Sequence, residues 1–452
     1  MTHYIINRVL IVSLLGATIS ASALAQGTTG ETTSAKVYTL EQCIDEAVAN
    51  NLKLRTADRQ ILMSGEQRKE AYTKYFPTVS AMGLGYMSDK GLVQMDMGGG
   101  MALSLLKHGY SGSVTAMQPV FAGGQIVNGN KLAKVGEDVS RLQRGLTEDE
   151  IRLNTENYYW QIVMLKEKLK TIGQVERQLA VVKKDAQAAV DAGIRNRNDL
   201  LQVQLRHNEM RTTRIQVENA LLTVCDVLAQ VMGHSGESIT VADMKPATTC
   251  NLSSNDSVAS VTLPDNPQQF FLAPEEALQQ TREYQLLDKQ VEADRLQYKL
   301  SVGKNLPSVV VGGGYVYNHL MDKSQNNLVG MITVSVPISG WWGGSHDMKR
   351  QKLQVANALD DKQNQSQLLL IRMRKAWNDL GDAYKQVAIA RQSIEQSEEN
   401  LRLNTDYYEA GTSTISDVLD AQTLYQQSRD QYVESVATYQ IKKREYLQAT
   451  GR

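Results

Sequence analysis

The chain has 452 residues, with 48 lysines and arginines against 49 aspartates and glutamates, a bulk balance that by itself points to neither nucleic acid nor an anionic surface. Three cysteines, Cys43, Cys225 and Cys250, are too few and too scattered for a disulfide framework or a zinc site, and read as unpaired thiols packed as small apolar residues. The six histidines (3, 108, 207, 234, 319 and 346) are dispersed, no His-Glu-x-x-His or Gly-x-Ser-x-Gly occurs, and Gly312-Gly313-Gly314 sits in a strand-like run with no helix behind it, so neither an enzyme nor a cofactor is expected.

At the N-terminus, Arg8 precedes the apolar run Val9 to Ile19 and the small residues leading to Ala23-Leu24-Ala25. This pattern predicts a signal peptide over 1–25, cleaved before Gln26, because a run of eleven residues is too short to cross a bilayer as a helix. No later stretch reaches 18 uninterrupted apolar residues, so a membrane could be entered only with strands.

After the leader the chain repeats itself. Lys74-Tyr75-Phe76-Pro77-Thr78-Val79 returns as Lys304-Asn305-Leu306-Pro307-Ser308-Val309. Gln118-Pro119-Val120-Phe121-Ala122-Gly123-Gly124 returns loosely as Val336-Pro337-Ile338-Ser339-Gly340, with Gly343 and Gly344 close behind. Ala192-Gly193 matches Ala410-Gly411, and Asp199-Leu200-Leu201 matches Asp417-Val418-Leu419. The expected division is a first repeat over 26–233, a linker rich in Ser, Thr, Asn, Asp and Pro over 234–272, and a second repeat over 273–452.

In chain order, each repeat opens with a helical pattern, at about 41–75 and 274–303, with acidic residues in its first turns. Strand-like runs with period two follow at 78–87 and 111–120, then at 308–317 and 328–338. Between the first two strands the glycine- and methionine-rich stretch from Gly91 to Met101 reads as an exposed loop. One face of the strands is apolar, and tyrosines and tryptophans stand near their ends, as on lipid-facing staves or on a soluble sandwich. Proline-free helices of about 65 residues come next, at 126–192 and 346–410, each roughly 100 Å long and so beyond any globular core. Each turns at a glycine, Gly193 or Gly411, into a helix of about 35 residues with a coiled-coil seam. Leu200, Val203, His207, Met210 and Arg214 begin the first seam, and Tyr425, Tyr432, Tyr439 and Tyr446 recur at sevens in the second. Four strands cannot close a barrel, and open sheet edges are excluded from hydrocarbon; three chains supplying 12 strands can close one.

These residues resemble the TolC-type outer-membrane efflux protein family (the outer membrane factors) along essentially the whole mature sequence. The most specific segment is Tyr408-Glu409-Ala410-Gly411-Thr412-Ser413-Thr414-Ile415-Ser416-Asp417-Val418-Leu419-Asp420-Ala421-Gln422, and the Pro119 to Gly124 strand–helix junction is a second. The resemblance implies an α+β membrane protein: a homotrimeric duct with a 12-stranded β-barrel in the outer-membrane lipid and a long antiparallel coiled-coil tunnel in the periplasm. It implies a periplasmic adaptor (membrane fusion protein) and an inner-membrane transporter of RND or ABC type as partners, in an efflux or type I secretion system. It places the Gly411 turn at the periplasmic tip, where Asp417 and Asp420 would ring an aperture; Asp417 also reads as an N-terminal helix charge favoured by the dipole, as its counterpart Asp199 does, and Tyr408 is expected to hydrogen-bond across the turn and hold the tip closed. The family's type member carries Arg where this chain has Ser413, and Arg195 and Arg197 on the first tip either take its place or stand as solvated loop charges. A structural coiled coil or adhesin of the cell envelope is the rival class, since long helices alone would serve it. Met95, Met97 and Met101 could bind copper(I) through their thioethers, but loop methionines this dense read as incidental.

Overall fold

The computed structural model describes residues 36–89, 93–96, 102–105, 108–243, 263–320, 323–338 and 340–452. The leader with its cleavage site before Gln26, Cys250, Met97 and Met101 lie outside the described residues, and Met95 is described only in its backbone.

A short strand β1 (Lys36–Tyr38) leads into α1 (Leu40–Asn50) and α2 (Leu52–Thr73). Thr39 and Gln42 form a reciprocal capping box on α1, and the Asn51 side chain caps α2 while accepting from Lys53 N–H. Then come β2 (Thr78–Met87), β3 (Val93–Asp96), β4 (Ala102–Leu105) and β5 (His108–Ala122), followed by α3 (Gln125–Asp191), α4 (Arg197–Val231) and β6 (Ile239–Val241). The second half contains a 3₁₀ turn (Pro267–Phe270), α5 (Pro274–Leu278), α6 (Arg282–Lys304), β7 (Ser308–Leu320), β8 (Lys323–Ser335), α7 (Gly340–Glu409) and α8 (Ile415–Ala449). No described helix is long and apolar enough to cross a membrane.

The two long helices set the scale: α3 has 67 residues and α7 has 70, each about 100 Å at 1.5 Å per residue. Helices α2 and α4 pack along α3, and α6 and α8 along α7, while α3 also touches α6 and α8, so the four columns form one layer. Leu380, Val387 and Ile394 of α7 interlock with Tyr432, Tyr439 and Tyr446 of α8, placing three of the heptad tyrosines in the core. A second core gathers Cys43 and Ala47 of α1, Ile151, Tyr159 and Ile162 of α3, and Leu228 and Met232 at the end of α4. Burial there pushes the Cys43 thiol up to about 12, which makes it an inert apolar filler at neutral pH.

Three details depart from the sequence reading. Strand β3 falls inside the expected loop and pairs antiparallel with β4 just beyond it, from Val93↔Leu105 to Asp96↔Ala102, so part of the insertion is strand. Within the expected linker, β6 pairs parallel with β1, a ladder of three residues that is too short to leave a periodic trace. The seventy-residue helix α7 begins at Gly340, earlier than the expected 346, so of the residues expected at this strand–helix junction Pro337 precedes the helix and Gly343 and Gly344 lie within its first turns. Arg214, which interrupts the first seam, is accounted for by ion pairs to Glu176 and Glu218 at 2.6 and 2.9 Å.

The main sheet runs β2-β5-β7-β8, antiparallel throughout, with β2 and β8 as free edges. Strands β5 and β7, one from each half of the chain, pair down the middle, and a bulge at Pro119/Phe121 ends the regular register where proline has no N–H to give.

Candidate functional site: the helix tips and the open sheet

At the second tip, α7 ends and the chain turns at Gly411, whose φ of 75° is left-handed. Thr412 N–H and Thr412 Oγ1 donate to the Tyr407 carbonyl at 2.9 and 3.0 Å, closing the last turn. Thr414 then caps α8 in a capping box. The Asp417 carboxylate accepts from Thr414 N–H (2.9 Å), Thr414 Oγ1 (2.7 Å) and Ser413 Oγ (2.8 Å), and Asp417 N–H donates to Thr414 Oγ1. The Thr414 hydroxyl and amide, and then the Ser413 hydroxyl, hold this carboxyl below the usual aspartate range. Asp417 is therefore a helix cap, and Ser413, far from leaving a gap where a cation would stand, serves the same cap. Asp420 stands one turn further along α8, exposed and without a hydrogen-bond or ion-pair partner among the described residues.

The first tip turns at Gly193 with φ 71°, and Ile194 and Arg195 N–H donate to the Ala189 carbonyl. Its N-cap, Asn196, makes no side-chain cap bond. Arg195 instead reaches the other tip: its guanidinium lies 4.4 Å from the Tyr408 ring centroid and donates to the Tyr408 carbonyl at 3.2 Å. The contact across the tips thus uses the ring face and backbone of Tyr408, not a hydrogen bond from its hydroxyl. Arg197 is exposed at the start of α4 and makes no such contact. Below the turns, Val175 and Leu179 of α3, Val203 and Met210 of α4, and Ile415, Val418 and Leu419 of α8 form one buried cluster, so both tips stand on a shared core.

Further up the second seam, Arg429 of α8 donates to Gln174 of α3 at 2.6 Å and Gln422 donates to Gln178 at 3.0 Å. Burial raises the neighbouring Asp430 carboxyl to about 6, against the opposing pull of Lys168 and Arg429.

At the other end, the register assigns each sheet residue to a face. Val79, Ala81, Val114, Val309, Val311, Tyr315, Leu328, Ile332 and Val334 share one face; the other is more polar, with Ser80, Ser111, Ser113, Thr115, Asn318, Gln325, Asn327 and Thr333, but it also carries Met82, Leu84, Val310, Val316, Val329 and Met331. The apolar face is uncovered: Leu328 is 88% exposed, Ile332 73% and Val79 67%. Its far end carries Tyr110 stacked on His319 at 4.8 Å and beside Tyr317 at 6.0 Å.

Where sheet meets helix, Gly123 (φ 58°) and Gly124 (φ 76°) turn β5 into α3. A Cβ on Gly123 would fall 2.3 Å from the Gly303 carbonyl oxygen of α6, so the two backbones touch. The sequence reading did not pick out Gly303. Pro337 lies just past β8, where Ile338 N–H donates to the Val336 carbonyl, and Trp341 Nε1 donates to the Asn305 carbonyl at 2.9 Å. Among the described residues no three His, Cys, Asp or Glu side chains gather as a metal site.

The chain thus carries a four-stranded sheet, with an uncovered apolar face and two free edges, on helices about 100 Å long. No curated protein matches the sequence. Solved structures do match the fold. The outer-membrane channel OprN superposes with a TM-score of 0.75 at 14% identity, over 91% of this chain and 89% of that one. CusC, described in terms of transmembrane channel formation, gives 0.76 at 14% identity over 97% and 99%. The Neisseria gonorrhoeae MtrE outer membrane channel in its open state gives 0.71 at 15% identity over 91% and 88%. Residues 43–234 and 273–452 match the family model described as outer membrane efflux protein, and the chain belongs to that family.

Proposed function

We propose that the chain is the exit duct of a tripartite efflux or type I secretion system. In this reading residues 1–25 are removed on export, and repeats over 26–233 and 273–452, joined by 234–272, build a homotrimer. Its three sheets close a 12-stranded barrel in the outer membrane, and its helical columns form a tunnel in the periplasm. An inner-membrane transporter of RND or ABC type delivers substrate through a periplasmic adaptor, and the duct conducts it passively.

The observation that carries this reading is the sheet. Its outer strands, ten residues in β2 and thirteen in β8, leave a row of backbone donors and acceptors unpaired, and its apolar face has no cover. Water would tolerate the edges but not the face; lipid would tolerate the face but not the edges. Edge-to-edge pairing of β2 with β8 of the next copy meets both demands, and an envelope coiled coil or adhesin has no use for such a sheet.

The tips are the proposed aperture. Asp420 supplies the free carboxylate ring, Asp417 holds the turn, and Arg195 on Tyr408 ties the first tip to the second. An open state is named for MtrE, which suits an aperture that changes. In planar bilayers the parent should form cation-selective channels blocked by divalent ions, and Asp420→Ala should weaken that block severalfold without changing assembly. A variant that is blocked like the parent removes Asp420 from the aperture; failure of the parent to conduct at all removes the duct.

A further inference from the structure

Just below the sheet, α2 and α3 enclose a groove of about 800 Å³ lined by Gly65, Arg68, Lys69, Tyr72, Thr73, Tyr75, Val127, Asn130, Lys131, Lys134 and Glu137. Four of these side chains are cations and one is a carboxylate. That carboxylate is already satisfied: Glu137 accepts from Arg68 at 3.0 Å and from Arg141 at 2.7 Å, which hold its carboxyl below the usual range. Lys69 pairs with Glu66 at 2.7 Å. Lys131 and Lys134 are exposed and have no hydrogen-bond or ion-pair partner among the described residues. Standing three apart, they form one stripe with Val127, which is 46% exposed.

The groove's position selects its occupant. Asn130 is its floor, donating to the Ala71 carbonyl at 2.9 Å, and the same residue backs a second cavity that runs beneath Thr78 and Pro119, on the polar side of the sheet. Ala71 and Lys74 of α2 line that cavity, whereas Tyr72 and Tyr75 line the groove, so the groove opens on the side of the apolar face. Its upper wall is aromatic. Tyr72 contacts Tyr75 at 5.4 Å and Phe76 at 5.9 Å, and Tyr72 and Phe76 are 59% and 57% exposed directly ahead of β2. Side chains on a helix lean toward its N-terminus, and α3 starts at the sheet, so Lys131 and Lys134 lean toward it from roughly 9 and 14 Å along the axis. Aromatic rings above unpaired lysines, at the level where hydrocarbon gives way to headgroups, match an acidic lipid with its chains on the sheet and its phosphate in the groove.

We propose that this groove binds an anionic glycerophospholipid of the periplasmic leaflet, with Lys131 and Lys134 as the phosphate contacts and Tyr72, Tyr75 and Phe76 against the glycerol and upper acyl chain. The inference rests on the sheet being the membrane-embedded part of the protein. The test is native mass spectrometry of the detergent-extracted full-length protein titrated with phosphatidylglycerol or phosphatidylcholine, with each variant's bilayer conductance measured in parallel. Phosphatidylglycerol should bind in preference to phosphatidylcholine, and Lys131→Ala/Lys134→Ala should weaken it roughly thirtyfold, at about fivefold per lysine. Lys183→Ala/Lys184→Ala, a charge-matched pair far down the same helix, should leave binding unchanged, and both pairs should conduct like the parent. Equal binding by the Lys131/Lys134 pair, an equal loss in the control pair, displacement of the lipid by inorganic phosphate, or a preference for soluble peptidoglycan fragments would each overturn the proposal. Because conductance is read separately, a parent that conducts but shows no preference for phosphatidylglycerol over phosphatidylcholine refutes the groove alone, while a parent that forms no channels refutes the duct.

Discussion

Two glycine turns share a left-handed backbone and differ in everything around it. Gly123 (φ 58°) joins β5 to α3 with its backbone against Gly303, so a methyl group would strike the Gly303 carbonyl oxygen at 2.3 Å. Gly411 (φ 75°) joins α7 to α8 with no atom within 4 Å of where a Cβ would stand. The first turn is a fixed joint whose shape is dictated by a neighbour. The second is an open turn, with the Arg195 contact beside it and the shared core of Ile415, Val418 and Leu419 with the first repeat beneath it. Under the proposed function, change therefore belongs at the tips and the join to the barrel stays fixed.

The largest effect should come from testing the joint against the free turn. Gly123→Ala adds a backbone clash to an unfavourable φ and should cost about 3 kcal/mol or more, with loss of assembled protein. Gly411→Ala carries only the φ penalty, about 1 kcal/mol, and should assemble normally. Denaturant midpoints of the two extracted variants decide the matter, and equal losses would erase the distinction.

A smaller effect should follow from cutting the tie between tips. Arg195→Ala removes a cation–π contact and a charged hydrogen bond and should cost about 1 kcal/mol, raising the open probability of single channels severalfold. Arg197→Ala, which loses no such contact, should record like the parent. If both variants behave alike, the Arg195–Tyr408 contact does not restrain the tip.

The smallest effects are in pH. The Asp417 carboxyl lies below its ordinary value, so its cap is fully present above about pH 4 and is lost only as pH falls further; tip behaviour should not change between pH 7 and 5. Asp430 has the opposite sign. Its carboxyl is raised to about 6, so the folded state is favoured by protonation and loses stability as pH rises through about 6. Asp430→Asn should remove that dependence in thermal melts between about pH 4 and 6.5, the interval between the unfolded and folded values, while Asp417→Asn should leave it in place.

How much of this was legible follows from how local each feature is. The long helices and the alternating runs announce themselves by period, and β5 extends the expected 111–120 by only three residues before and two after. The α8 start is also written in the sequence, as Thr414-Ile415-Ser416-Asp417: an acidic residue in a first helical turn reads both as a charge favoured by the dipole and as an aperture charge, and only the structure shows its bonds to Thr414 and Ser413. Strand β8 starts five residues before the expected 328–338, because Lys323, Ser324, Gln325, Asn326 and Asn327 hide a strand whose β7 partner carries the apolar pattern. Contacts between distant segments left no signal at all. Arg195 lies 213 residues from Tyr408, and Gly303, needed by Gly123, is one more small residue in a helix.

The central claim is that one chain supplies only a third of a barrel. Its most direct test is the solution mass of the detergent-extracted, channel-forming protein with the bound detergent accounted for. A single species of three chains is predicted, since β2 of each copy must find β8 of the next. A monodisperse monomer that still conducts would contradict the account, because four strands would then have closed on themselves.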